Sequence, residues 1–181
     1  MSDVGARQKN FFDVCSNCRT SYSCCRDTTP PVTDERRNII LTYLRTANTE
    51  IDDPFAEEDY VYPRLKADGY CVFHDDRTKK CLIHIVKPET CVAGPITFDI
   101  NTRTRMIEWF VKKESLCQLA KVVYNDKDLL RKHVASAKKE IARLVSQLDS
   151  RALRTILRKD EPETFKIEEE SVDQQVLRKL A

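Results

Sequence analysis

Four thiols lie within eleven residues near the start of this chain, in the stretch Cys15-Ser-Asn-Cys18-Arg-Thr-Ser-Tyr-Ser-Cys24-Cys25. Their neighbours are polar, whereas a structural cysteine is normally buried as a small apolar group. The two residues between Cys15 and Cys18 let both sulfurs reach one ion from a tight turn, as in zinc ribbons and iron–sulfur loops. The stretch therefore predicts half of a metal site.

Eight cysteines in 181 residues also raise the alternative of disulfide bonds. The first ten residues are polar and lack the apolar segment of a secretory signal, and no run approaches the roughly 20 apolar residues of a membrane span. We therefore expect a cytoplasmic protein with reduced thiols and no membrane partner. In that compartment, clustered cysteines indicate metal or redox chemistry.

The second half of the predicted site lies around residues 69–91. Residues 69–74 and 80–85 have the pattern of two short strands joined by a turn. Strands of a hairpin lie about 5 Å apart, so Cys71 and Cys81 can converge on one centre, and Cys91 follows them at an equal spacing. These three cysteines are the remaining candidate ligands before the late Cys117, which from the residues alone is interpreted as core.

Two Cys-x-x-His spacings, Cys71 to His74 and Cys81 to His84, are the main argument for zinc, because imidazole is a good zinc ligand. Residues three apart in a strand point to opposite faces. We therefore interpret both histidines as strand residues, and His133 as a residue on a helix surface. The all-sulfur set of candidate ligands favours an iron–sulfur cluster, preferably 4Fe–4S, over zinc.

The pattern of the other segments predicts an α+β protein, in which a small cysteine-rich metal-binding domain with short β-hairpins carries a helical C-terminal arm. We expect a metal-binding domain over residues 1–124, a basic helical arm over 125–160, and an acidic, amphipathic tail over 161–181. Capping and apolar periodicity predict helices over residues 33–47, 55–67, 117–124 and 126–149 and a further helix from Ser150. Alternation of apolar and polar residues predicts strands over 96–100 and 105–112. The end of the tail is expected to be either a terminal helix that docks or a partly disordered segment.

The arm has ten Lys or Arg and four Asp or Glu between residues 126 and 159, a formal charge of +6, although the whole chain carries only +2. Its apolar residues, from Leu130 to Leu148, recur in steps of four and three, which predicts a buried seam, with self-association as the alternative. We expect an unidentified protein partner to bind through this arm. Nucleic acid is the less favoured partner, because no aromatic residues interleave the Lys and Arg.

The order of the cysteine motifs resembles the YkgJ family of CxxCxxCC proteins, a family of zinc- or iron-chelating cysteine-cluster domains. The motifs are Cys-x-x-Cys, Cys-Cys, Gly-x-Cys, Cys-x-Ile and a basic residue followed by Pro-x-x-Cys. The resemblance covers about residues 15 to 118 and includes Cys117, which resembles a late cysteine of many members. The residues that carry the match are Cys15, Cys18, Cys24, Cys25, Cys71, Cys81 and Cys91, with Pro88.

The resemblance implies a metal-chelating domain and makes Cys117 a candidate ligand as well. It leaves two principal functions open: an iron–sulfur protein in redox reactions or electron transfer, and a structural zinc module whose arm binds protein or nucleic acid. A related cysteine cluster in flagellin lysine methylases suggests a third, a protein-modifying enzyme. The sequence contains no recognisable cofactor pocket for methyl transfer and no phosphate-cradling glycine loop, so catalysis is undecided.

Overall fold

The computed structural model describes residues 24–159 and 163–181. Over these residues the fold is α+β, as predicted, with two antiparallel sheets. In chain order its elements are α1 (Asp34–Thr46), β1 (Phe55–Glu57), β2 (Val61–Pro63), α2 (Glu89–Ala93), β3 (Ile96–Asn101), β4 (Met106–Lys112), α3 (Gln118–Tyr124), α4 (Lys127–Gln147), α5 (Ser150–Leu157), β5 (Thr164–Ser171) and α6 (Gln174–Leu180). No helix in this part of the chain is long and apolar enough to cross a bilayer.

Helix α1 begins as the sequence predicts. Thr33 is its N-cap, and the Thr33 side-chain oxygen accepts a hydrogen bond from the Arg36 backbone N–H at 3.2 Å. Such a cap satisfies one of the unpaired N–H groups of the first turn. The helix buries Ile40 and Leu44 against a group of apolar side chains that we call the small core, which consists of Val32, Ile40, Leu44, Phe55, Phe73 and Ile83.

The prediction of a helix over residues 55–67 is wrong. This segment forms strands β1 and β2, which pair antiparallel with Phe55 opposite Pro63. The aromatic and β-branched residues between positions 60 and 62 favour an extended chain. Pro63 is tolerated because it lies at the end of a two-stranded sheet, where a missing N–H donor disrupts little pairing.

The predicted hairpin over residues 69–85 is only partly correct. The turn over residues 75–79 is confirmed, since the Lys79 N–H donates to the Asp75 carbonyl at 2.8 Å. The flanking segments meet through an isolated bridge between His74 and Cys81. They are not strands, however, because each closes into tight turns, in which the His74 N–H donates to the Cys71 carbonyl and the His84 N–H to the Cys81 carbonyl.

A three-stranded antiparallel sheet with the order β3-β4-β5 forms the centre of the C-terminal half. Strands β3 and β4 and the turn between them confirm the predicted hairpin. Strand β5 was not predicted: it contains the acidic run Glu168 to Glu170, which was assigned to a tail, and it pairs with β4 at the edge of the sheet. Lys138 of α4 neutralises part of this run, with its Nζ 3.1 Å from Glu168 and 2.9 Å from Glu170.

Helix α4 covers this sheet and confirms the predicted helix over 126–149. Asp126 caps its N-terminus by accepting hydrogen bonds from two backbone N–H groups. The seam is buried as expected, so its packing is internal. It contributes to a second apolar group, the large core, which consists of Tyr60, Ala93, Ile96, Ile100, Ile107, Trp109, Val111, Ala120, Val134, Ala137, Ile141, Leu144, Val145, Leu148, Ala152, Leu153, Val172 and Val176.

The last helices also follow the predicted pattern. Helix α5 is capped by the Asp149 carboxylate, one residue earlier than expected, and buries Ala152 and Leu153. Helix α6 docks on the large core through Val176. The division of the chain at residues 124 and 160 stays a prediction about folding units.

Candidate metal centre

Three segments that carry cysteines converge in the N-terminal half of the described chain. The Cys71 N–H donates to the Cys25 carbonyl at 2.7 Å, and the Asp27 N–H donates to the Gly69 carbonyl at 2.9 Å. Gly69 has φ +83°, a backbone conformation that residues with a side chain rarely adopt, and a Cβ here would meet the Asp27 side chain. Glycine therefore allows the Cys24-Cys25 segment to lie directly against the Cys71 segment.

The segments of Cys71 and Cys81 have the same local geometry. The His74 N–H donates to the Cys71 carbonyl at 2.8 Å, and the His84 N–H donates to the Cys81 carbonyl at 3.2 Å. Both Cys-x-x-His sequences are thus closed turns rather than extended strands. Both cysteines pack at the edge of the small core, whose members Phe73 and Ile83 anchor the two turns.

Cys91 reaches the same neighbourhood from the short helix α2. This helix follows Pro88 and packs between α4 and β3. The thiol is strongly desolvated: burial, followed by the charge of Cys24, raises the pKa of Cys91 well above its ordinary value. Coordination of a cation would remove this penalty, because metal binding stabilises the thiolate form.

The thiols influence one another electrostatically. A hydrogen bond between the thiols of Cys24 and Cys25 lowers the pKa of Cys24 to about 6 and raises the pKa of Cys25. Burial raises the pKa of Cys71 to about 11, and the nearby Cys81 and Cys24 also raise it. Because such effects decline with distance, Cys24, Cys25, Cys71, Cys81 and Cys91 share one neighbourhood, which we call the cysteine cluster.

Three lysines, Lys66, Lys87 and Lys112, lie within electrostatic range of the cysteine cluster. After the hydrogen bond with Cys25, the positive charges of Lys87 and Lys112 contribute to the low pKa of Cys24. Lys87 also lowers the pKa of Cys91, against the larger effect of burial. Positive charge beside several thiols favours their thiolate form, which is the form that binds metals.

The structure brings some of the eight predicted ligands together and not others. Five of them form the cysteine cluster, and Cys15 and Cys18 lie outside the described residues, so their role stays a prediction. Cys117 is the N-cap residue of α3 and packs against the large core, whereas Cys71 and Cys81 pack against the small core. Ligation by Cys117 therefore remains untested, and its described packing agrees with the interpretation from the residues alone.

The five described cysteines of the cysteine cluster lie in one region, but their side chains do not form a complete metal coordination sphere. No disulfide joins any two of them. Across residues 24–159 and 163–181, no three His, Cys, Asp or Glu side chains are arranged to hold a metal ion. The donor set nevertheless fits a metal by its chemistry, because five thiols share one neighbourhood and zinc and iron both bind thiolates. The residues that would hold it are those of the cysteine cluster, with Cys15 and Cys18.

The three histidines were predicted as two strand residues and one helix-surface residue, and the structure places them differently. The ring of His74 stacks on Tyr70 at 4.4 Å, and its Nδ1 lies 3.4 Å from Asp76. Burial lowers the pKa of His84, and the nearby Lys87 lowers it further. His133 is not merely a surface residue of α4, because its Nε2 lies 3.2 Å and 3.0 Å from the carbonyl oxygens of Ala93 and Gly94 at the end of α2.

A buried polar network beside Cys91 was not recognised in the sequence. Glu89 is fully buried and accepts a hydrogen bond from the Thr33 hydroxyl at 2.6 Å. Arg36 lies between Glu89 and Glu140, at 3.7 Å and 2.5 Å respectively. The only local signal is the position of Glu89 directly after Pro88, because its partners Thr33 and Arg36 lie more than fifty residues earlier in the chain.

Comparison with known proteins agrees with this geometry. No curated protein and no solved structure matches the chain. The family model CxxCxxCC, described as "Putative zinc- or iron-chelating domain", matches residues 14–118. This range contains all eight cysteines, the small core and α2, and it ends where α3 begins. The match extends over more than half of the sequence, and the chain therefore belongs to the CxxCxxCC family of zinc- or iron-chelating domains.

Proposed function

We propose that the cysteine cluster holds an iron–sulfur centre, of the 4Fe–4S type, that serves in electron transfer or another redox reaction. The observation that carries this proposal is the convergence of four chain segments, which brings five thiols into one neighbourhood. The hydrogen bond from Cys71 to Cys25 and the bridge between His74 and Cys81 join the first three segments through the backbone, and Cys91 comes from α2. Neither contact involves a sulfur atom, so neither is lost when thiols become thiolates.

The nature of the donors supports iron–sulfur chemistry. Thiolate ligands hold the common iron–sulfur clusters, each four-iron cluster taking four of them. The ring of His74, one of the two nearby imidazoles, stacks on Tyr70, and its Nδ1 lies 3.4 Å from the Asp76 carboxylate. When bound, an iron–sulfur cluster supplies one-electron chemistry at a potential that depends on nearby charge, hydrogen bonds and exposure.

The charge around the cysteine cluster supports the same proposal. Four thiolates bring several negative charges into a partly buried site, and nearby cations reduce the cost of gathering them. Lys87 and Lys112 both act on Cys24 in this sense. The chain's own contribution to redox chemistry would be to stabilise these charges and to limit the access of solvent to Cys91.

A structural zinc site is the second candidate, and the two closed Cys-x-x-His turns favour it. Turns of this kind present a cysteine sulfur to a shared ion in zinc-binding folds. The turns at Cys71 and Cys81 anchor side chains of the small core, so a zinc ion there would stabilise residues 64–91 directly. In this case the function would lie elsewhere, with a protein partner bound at the arm or, as the less favoured alternative, with nucleic acid.

The exposed face of α4 is the part of the arm available to such a partner. Its apolar seam is buried in the large core, whereas the exposed residues include Arg131, Lys132, Lys139 and Arg143. A partner at this surface would therefore be recognised by negative charge, with affinity that falls as salt is added.

Metal analysis tests the proposal and separates the two candidates. The full chain is purified without oxygen, and iron, zinc and acid-labile sulfide are measured per chain together with the visible spectrum. Iron with matching sulfide and a spectrum bleached by reductant is the expected result. Stoichiometric zinc without sulfide would replace the redox proposal with the structural one, and the absence of both metals would contradict either.

A further inference from the structure

Helix α2 is too short to be stable by itself. It has only five residues, and its N-cap, Pro88, forms no side-chain hydrogen bond with the helix. Isolated helices of this length do not persist in water, because the free-energy cost of nucleating the helix exceeds what one turn of hydrogen bonds contributes. The position of Cys91, the third residue of α2, therefore depends on what holds the helix from outside.

The first residue of α2 is held by helix α1. The Oε1 atom of Glu89 accepts a hydrogen bond of 2.6 Å from the Thr33 hydroxyl, which in turn accepts the N–H of Arg36. The Arg36 guanidinium lies 3.7 Å from the same carboxylate and 2.5 Å from Glu140 of α4. Glu89 is thus joined directly to α1 and, through Arg36, to α4.

The other oxygen of Glu89 makes this arrangement costly for stability. Among the described residues, Oε2 is buried and has no hydrogen-bond partner. A buried charged group with incomplete hydrogen bonding is usually worse for stability than an apolar side chain of similar size. An apolar residue would fill this space, but it could not be anchored to Thr33 and Arg36, so Glu89 contributes position rather than stability.

The last turn of α2 is held by helix α4. The Nε2 atom of His133 lies within hydrogen-bond distance of the carbonyl oxygens of both Ala93 and Gly94. Carbonyl oxygens only accept hydrogen bonds, so Nε2 carries the hydrogen and donates it. This donor satisfies carbonyl groups that the end of a helix leaves unpaired.

We propose that Glu89 and His133 are positioning residues that hold the two ends of α2 and thereby fix Cys91 for metal binding. The inference rests on the proposed metal-binding function and assigns roles to two residues that contribute no sulfur. Outer residues that orient the ligands of a metal commonly change its affinity by about 10- to 100-fold when they are replaced. Glu89 and His133 act in this way through the backbone of α2.

Cobalt binding tests the roles of both residues. The reduced, metal-free full chain is titrated with Co(II), whose visible thiolate absorption reports sulfur ligation, and the Kd is obtained by competition with a chelator. We expect Glu89→Met and His133→Leu to raise the Kd about 10- to 100-fold and to weaken the thiolate absorption. Glu89→Gln keeps an acceptor for Thr33, and His133→Gln keeps a donor for the carbonyls, so both should recover most of the affinity.

Leu144→Ala is the matched control, because Leu144 lies on the same helix as His133 but belongs to the large core. It should lower the stability of the fold and leave the Kd for Co(II) within about threefold of the wild-type value. Equal weakening by Leu144→Ala, or wild-type Kd values in Glu89→Met and His133→Leu, would overturn the positioning roles alone. A wild-type chain that binds no Co(II) would overturn the metal-binding proposal as well.

Discussion

The region of the small core and the region of the large core are stabilised in different ways. The small core contains six buried apolar residues, supplied by helix α1, by turns and by a sheet of two three-residue strands. The large core contains eighteen, supplied mainly by a three-stranded sheet and long helices. Hydrophobic burial increases with the size of a packed region, so the large core is the more self-sufficient of the two.

The small-core region is also the one that contains the cysteine cluster. Small domains with limited burial commonly gain the missing stability from a bound metal or a disulfide. The comparison therefore suggests a division of roles: the large core is a folded platform, and a metal organises the turns that pack beside it. Helix α2, held by residues from α1 and α4, joins the two regions.

The largest effect is expected from removal of a predicted ligand. Cys81→Ser and Cys15→Ser should each lose most of the bound metal, because four-coordinate sites tolerate the loss of a ligand poorly. Cys117→Ser should lose less, since Cys117 packs against the large core. Metal content per chain, measured after desalting, checks the series. Equal metal retention in the three variants would contradict the assignment of ligands.

A cavity in the large core should separate stability from metal binding. Leu144 is fully buried, so Leu144→Ala should lower the free energy of unfolding by about 2–5 kcal/mol. Because Cys71 and Cys81 pack against the small core, metal content per folded chain should stay near that of the wild type. Urea denaturation monitored through Trp109, combined with metal analysis of the folded fraction, tests both parts. Loss of stability and metal in parallel would erase the distinction between the two regions.

The ion pairs that fasten the acidic strand should contribute much less. Lys138 bridges Glu168 and Glu170 at the edge of the sheet, and both carboxylates are more than a third exposed. Exposed pairs of this kind are worth about 0–1 kcal/mol. Lys138→Met keeps an unbranched side chain beside Trp109 and should cost no more than this in the free energy of unfolding. A cost of several kcal/mol in a denaturant titration would show that β5 depends on these charges.

The smallest effect concerns Asp59, which connects the loop between β1 and β2 with helix α5. A hydrogen bond of 2.8 Å from Thr155, followed by the ion pair with Arg151, holds the pKa of Asp59 below its usual value. A depressed folded-state pKa gives stability above the unfolded-state pKa, and this stability is lost as the pH falls through the folded-state value. Asp59→Asn should thus lower Tm slightly at neutral pH.

In acid, below the pKa of Asp59 in the folded protein, the Tm values of Asp59→Asn and the wild type should converge. Thermal scans across this range, at constant ionic strength, provide the measurement. A difference in Tm that is independent of pH would mean that the charge of Asp59 does not contribute to the connection between the loop and α5.

Capping residues and apolar periodicity correctly predicted helices α1 and α4, whose backbone hydrogen bonds lie within the helix itself. The N-caps Thr33 and Asp126 and the spacing of apolar residues along α4 are visible in the sequence, and the structure contains both helices. Strand β5 was missed because an exposed edge strand need not alternate between apolar and polar residues, and its partner β4 is distant in sequence. The segments of Cys71 and Cys81 resemble strands in composition but close into turns.

The same distinction applies to the candidate site. The spacing of the cysteines predicted that their segments would converge, and backbone contacts join the segments of Cys25, Cys71 and Cys81. Glu89 and His133 have no such pattern, since each is defined by a contact with a residue that only the folded chain brings near. Residues that position a ligand through tertiary contacts can be found only after the packing is known.

Hydrogen exchange with and without metal tests the central claim most directly, namely that a metal at the cysteine cluster organises the turns beside a self-sufficient large core. The metal-loaded full chain and the chain stripped of metal under reducing conditions are compared amide by amide. We predict that the amides of Cys71, His74 and Leu82 lose most of their protection without metal, while those of β4 and α4 keep theirs. Unchanged protection of the three turn amides would contradict the account.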